Sequence, residues 1–122
     1  MKRRCRLRDR ARFWQVRQEG QCWVHPLLVL CVLPNELPYS RFGFSASRRI
    51  GKAVERNRAR RLMREAVRRY MDTIADGWDV VLVARPAILS ADFHQVEDAC
   101  VHLLQRACLV QQPQESADAG PG

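Results

Sequence analysis

Apolar and polar positions change period several times along this chain, and each change marks an element. Residues 7–18 place Phe13 and Val16 at helical spacing, with Gly20 as the stop. Residues 23–33 are almost continuously apolar and are divided near Pro26, which predicts strand structure with 27–33 buried on both faces. Pro34-Asn35-Glu36-Leu37-Pro38 reads as a loop. Residues 41–49 then alternate: Phe42, Phe44 and Ala46 point one way, and Gly43, Ser45 and Ser47 the other.

From residue 53 to 71 the period becomes helical. Ala59, Leu62, Met63, Ala66, Val67 and Tyr70 follow the three-four spacing of one face. Asp76-Gly77 predicts a turn, residues 78–84 a second buried strand, and Pro86 its end. Ser90 is placed to N-cap a last helix running to about Cys108, with Phe93, Val96, Leu103, Leu104 and Ala107 on its apolar face. The order α-β-β-β-α-β-α predicts an α+β fold, a single-domain α-β sandwich with a mixed sheet. The expected domain spans residues 7–110. Residues 1–6 read as a flexible basic arm, and 111–122, polar and rich in Pro and Gly, as a disordered tail.

Length and composition narrow the class. A chain of 122 residues suits one domain, and 47% hydrophobic residues suffice for a modest core. The longest apolar run, 27–33, is about a third of a membrane span, and no apolar segment follows the basic N-terminus as a secretory signal requires. A soluble, cytoplasmic protein is expected.

Charge sharpens the picture. The net charge is +8 and the isoelectric point about 10.1, which suggests a polyanionic partner. Residues 1–17 and 48–69 together hold 18 of the 21 Lys and Arg. The second stretch has ten bases against two acids, Glu55 and Glu65. A merely solvated surface mixes its signs, because unmixed charge repels itself. On the helix of 53–71, Asn57, Arg60, Arg61, Arg64 and Arg68 fall opposite the apolar face, with Arg56 and Arg58 at the edges of that stripe. All but Lys52 of the bases in 48–69 are arginine, whose planar guanidinium grips two phosphate oxygens and stacks on bases. Lipid binding would need large apolar residues free to insert, and here the apolar face is needed for the core. DNA recognition by a helix-turn-helix is disfavoured because strands flank the helix on both sides.

Other candidate chemistry is sparse. The five cysteines, Cys5, Cys22, Cys31, Cys100 and Cys108, contain no Cys-x-x-Cys and are expected to be reduced thiols rather than a zinc site. His25, His94 and His102 have no evident acid or base partner. Asp72, Asp76 and Asp79 are expected at turns and helix ends, and Trp23 and Trp78 in the core. No paired carboxylates suggest a self-sufficient nuclease.

The run 41–66, with Arg56-Asn57-Arg58 at its centre and Arg60, Arg61 and Arg64 after it, resembles the signature of the bacterial ribonuclease P protein subunit. Arg12-Phe13-Trp14-Gln15-Val16, Gly20 and Ala84-Arg85 also fit, so the resemblance covers roughly residues 7–108. It implies a four-stranded sheet resembling domain 2 of ribosomal protein S5, with a left-handed crossover around the arginine helix. It implies a role with a catalytic ribonuclease P RNA, removing the 5′ leader of precursor tRNA, with Mg²⁺ held mainly by the RNA and no catalytic side chain or metal site in this chain. The residues expected to bind RNA are Arg48, Arg49, Lys52, Arg56, Asn57, Arg58, Arg60, Arg61, Arg64 and Arg68. A cleft between the first helix and the sheet would hold the single-stranded leader through Phe13, Arg17, Ser45 and Ser47. Two positions depart from the family: Arg17 and Cys31 stand where aromatics are common, and Trp14 is expected to point away from the cleft. The competing reading is an RNA-binding structural protein of ribosomal type with no catalytic RNA partner.

Overall fold

The computed structural model describes residues 5–110; most of the expected arm and all of the expected tail lie outside them. Helix α1 is Arg10–Glu19, followed by strands β1 (Gln21–Val24), β2 (Leu28–Pro34) and β3 (Arg41–Ser45), helix α2 (Ala53–Arg68), strand β4 (Trp78–Ala84) and helix α3 (Phe93–Arg106). The predicted α+β order holds. The sheet runs β1-β2-β4-β3, antiparallel except for the parallel pair β3/β4 that α2 connects.

Strand alternation gives the sheet two covered faces. Leu28, Leu30, Val32, Phe42, Val80 and Leu82 face α2 and α3 and form the main core with Met63, Val67, Leu103 and Leu104. Cys31 and Val81 face the other way and meet Leu7 and Val16 beneath α1. Three layers result, and among the described residues the second face is covered by α1 and the segment just before it. The parts of that face they leave uncovered become available to a ligand.

Boundaries moved where local hydrogen bonding outranked periodicity. Helix α1 starts at Asp9, whose carboxylate accepts from the Ala11 N–H at 2.9 Å and the Arg12 N–H at 3.4 Å. Leu7 is not helical; its N–H donates to Phe42 O at 2.9 Å, and Arg6 bridges Phe42, so the chain before α1 runs along β3. Helix α3 is capped by Asp92 and not by Ser90. Asp92 and Gln95 bond each other's backbone N–H reciprocally at 2.9 Å, while Ser90 closes a 3-10 turn, Pro86–Ser90, that buries Ile88.

Two expectations about side chains are corrected. Cys22 and Cys31 are not free thiols: hairpin register sets them opposite each other with Cα atoms 4.1 Å apart, and their sulfurs are bonded. A separation of nine residues hides that adjacency in the sequence. Asp79 is not a turn residue. It is fully buried in β4, a consequence of its lying in register with Arg41 across the β3/β4 pair.

Candidate nucleic-acid interface

The arginine helix begins on a turn that has no room for a side chain. Gly51 has φ +149°, and a Cβ there would lie 2.1 Å from Glu55 Oε1. That oxygen accepts the Lys52 N–H at 2.8 Å, so Glu55 folds back on the helix start. The other acid of the segment, Glu65, pairs with Arg68 at 3.3 Å, three residues on. Arg69 instead reaches Glu97 on α3 at 2.9 Å and stacks over Phe93.

The predicted arginines divide by what they touch. Arg56 donates to Gly51 O at 2.9 Å and locks the turn, and Arg58 reaches towards Ala91 O at 3.4 Å beside α3. Asn57 accepts from Arg60 and so aims it. Arg64 lies over the Phe44 ring, 5.6 Å from its centroid. Arg48, Arg49, Lys52, Arg61 and Arg68 are exposed, and Arg49 N–H donates to Ser47 Oγ at 3.3 Å in the turn after β3. Ala59, Met63, Ala66 and Val67 are buried as the spacing predicts. One amphipathic helix therefore turns Ala59, Met63, Ala66 and Val67 inward, while of its six arginines Arg61 and Arg68 are exposed and Arg56, Arg58, Arg60 and Arg64 are half-buried.

On the opposite side of β3 lies a cleft of about 430 Å³ between α1 and the strand. It brings together Phe13, Arg17 and Ser45, three of the four residues expected there, and adds Arg8, Arg10, Trp14 and Arg60. Ser47 is exposed in the turn beyond β3 and does not line it. Cys31 does not line it either, being covered by α1 and 1% exposed. Trp14, expected to point away, stands at the cleft and is 66% exposed. Arg8 and Arg10 carried one sequence signal, the basic density of the N-terminal stretch. Arg60 is the shared member, a residue of α2 that reaches the α1 cleft.

The floor of the cleft depends on Gly43. A Cβ there would lie 2.3 Å from Phe13 Cε2 and 2.5 Å from Cζ. The Phe13 ring therefore rests on bare backbone, and α1 approaches β3 more closely than any other residue would allow. Beside the cleft, a smaller pocket of about 120 Å³ joins Arg6, Arg8 and Arg64 around Phe44.

Asp79 fixes α1 from below. Its Oδ2 accepts from Arg12 Nε at 2.6 Å and from an Arg41 guanidinium nitrogen at 2.6 Å, and its Oδ1 from Arg41 Nε at 2.8 Å and Asn35 Nδ2 at 2.9 Å. Burial alone would raise the carboxyl pKa, but the hydrogen bonds from Arg41, Asn35 and Arg12 outweigh it and hold the group below its ordinary value. Arg12 and Arg41 thus serve the fold rather than the cationic surface. Asp79 has no coordination capacity to spare for a metal, and among the described residues no three His, Cys, Asp or Glu gather as a metal site.

Three comparisons bear on this arrangement. A family model described as Ribonuclease P matches residues 1–108. The chain is 45% identical over 114 residues to the ribonuclease P protein component of Chloroflexus aurantiacus, covering 93% of this chain and 84% of that one. It is 46% identical over 112 residues to the counterpart in Roseiflexus castenholzii, covering 91% and 92%. Among solved structures, the RNase P protein of Staphylococcus aureus superposes with a TM-score of 0.80 at 25% identity, covering 88% of this chain and 98% of that one. The RNase P protein from Thermotoga maritima gives 0.75 at 33% identity, covering 83% and 96%.

Proposed function

This chain belongs to the ribonuclease P protein family, and from that membership we propose that it is the RNA-binding subunit of a ribonucleoprotein endonuclease that removes the 5′ leader of precursor tRNA. The catalytic component is a ribonuclease P RNA, and the Mg²⁺ ions that assist phosphodiester hydrolysis are held mainly by that RNA. This chain supplies no catalytic side chain and acts in the cytoplasm.

The observation that carries this reading is Arg60. Guided by Asn57, it belongs both to the arginine face of α2 and to the α1 cleft, so two cationic surfaces on either side of β3 meet at one guanidinium. Arg48, Arg49, Lys52, Arg58, Arg61, Arg64 and Arg68 dock folded RNA through its phosphates, Arg56 holds the helix start that presents them, and Asn57 aims Arg60. The cleft of Phe13, Arg17 and Ser45 takes the single-stranded leader, with basic walls tracking the backbone and aromatic faces offered to bases. Because the leader is present in substrate and absent from mature product, contacts in the cleft favour substrate. The cationic faces lower phosphate repulsion as RNA and substrate come together, so less Mg²⁺ is needed.

Reconstitution tests the proposal. The chain is combined with a bacterial ribonuclease P RNA and precursor tRNA at low Mg²⁺, and 5′ cleavage is followed. Stimulation is expected over RNA alone. RNA binding without stimulation would assign the chain to a structural role, and cleavage by protein alone would place the chemistry in this chain.

A further inference from the structure

Trp14 is 66% exposed, an unusual state for an indole, whose large apolar surface normally covers a core or a partner. Its neighbours on α1 have other work. Phe13 rests on Gly43, Val16 is buried against Cys31 and Val81, and Arg12 is bonded to Asp79. Trp14 stands at the cleft between Arg10, four residues before it, and Arg17, three residues after it. Arg8 and Arg60 complete the cationic lining, and no acid lies among the cleft residues.

We propose that Trp14 is a stacking platform for an unpaired nucleobase of the leader, held at the mouth of the cleft while Arg10 and Arg17 take the flanking phosphates. The inference rests on the reading of the cleft as a leader site. Its physical basis is the combination of an exposed π-face and guanidiniums, the arrangement that holds single strands without base pairing. A protein partner seated on the indole would have to neutralise four guanidiniums, which RNA phosphates do by their nature. Of the two α1 rings at the cleft, Phe13 is engaged with the strand and Trp14 is free to stack.

The test uses the reconstituted holoenzyme with two precursor tRNAs, one with a long unpaired leader and one with a single-nucleotide leader. Wild-type protein is expected to bind the long-leader substrate more tightly. Trp14→Ala should weaken that binding roughly 5- to 100-fold, the range expected for one base–aromatic stack, and shrink the long-to-short affinity ratio by the same factor. Trp14→Phe, which keeps a ring, should recover most of the loss. A Trp14→Ala holoenzyme with an undiminished ratio would overturn the role of Trp14 and leave the leader cleft standing. Equal weakening for both substrates would likewise overturn it, since the stack at the mouth of the cleft requires a leader base beyond the first, which the single-nucleotide leader lacks. A wild-type holoenzyme indifferent to leader length would overturn both readings.

Discussion

Arg12 Nε lies 2.6 Å from Asp79 Oδ2, so a single ion pair ties the first turn of α1 to the start of β4. The pair is shared with Arg41, and Asp79 is fully buried. Removing one partner of such a pair leaves the others charged and desolvated. Asp79→Ala should therefore destabilise the protein by about 3 kcal/mol, measured by denaturant unfolding, and should loosen α1 before the sheet, measured by amide exchange.

The same carboxylate sets an acid limit. Its pKa in the folded protein lies below its ordinary value, which is about 4 in an unfolded chain. The folded state therefore holds the proton less tightly than the unfolded state. The stability contributed by Asp79 is complete above about pH 4 and is lost as pH falls through the folded value. A plot of unfolding free energy against pH should show this loss in wild type and a shallower acid limb in Asp79→Ala.

Arg61 and Arg56 should behave differently although both lie on α2. Arg61 is exposed and is assigned to RNA alone, so Arg61→Ala should leave the melting temperature within about 1–2 °C. It should also lower the salt slope of RNA binding by about one. Arg56 holds Gly51 O, so Arg56→Ala should lower stability as well as affinity, by about 1–2 kcal/mol. Arg58→Ala should weaken RNA binding and its salt dependence too. An unchanged slope for Arg61→Ala would remove that residue from the interface.

The cysteines give a chemical count. With Cys22 bonded to Cys31, alkylation of the unfolded, unreduced chain should label three thiols, Cys5, Cys100 and Cys108, and reduction should raise the number to five. In the folded protein Cys100 should resist labelling, because burial, with Glu97 nearby, pushes its pKa up to about 12. Opening the disulfide should cost roughly 2–3 kcal/mol, as expected for closing a loop of this length.

Gly43→Ala places a methyl group where the Phe13 ring lies. Overpacking of this kind costs about 1–3 kcal/mol. Phe13→Ala alone should also destabilise, but the double variant should be more stable than the sum of the two losses predicts. Strict additivity in a denaturation cycle would show that the ring and the strand do not touch.

Much of this was legible in the sequence because period and motif agreed. The alternation of 42–46 and the small-residue face of α2 each followed from spacing alone, and the structure arranges them as expected; the run around Arg56-Asn57-Arg58 was legible as a motif. What escaped was decided by contacts distant in sequence. Asp79 looked like an ordinary turn acid because Arg12 is 67 residues away and Arg41 is 38. The Cys22–Cys31 bond depended on hairpin register. Trp14 was misplaced because the helical wheel of α1 cannot tell where the lip of the cleft falls, and Ser90 lost the cap to Asp92 because Pro86 started a separate turn.

Gly43 carries a last consequence. A groove bounded by two side chains can widen or narrow as its rotamers change. Here one boundary is an aromatic ring seated on a peptide backbone, and backbone has no rotamers. The separation of α1 from β3 is thus a fixed gauge, cut to one ring thickness, and any strand threaded past it is measured against a dimension that this protein cannot adjust.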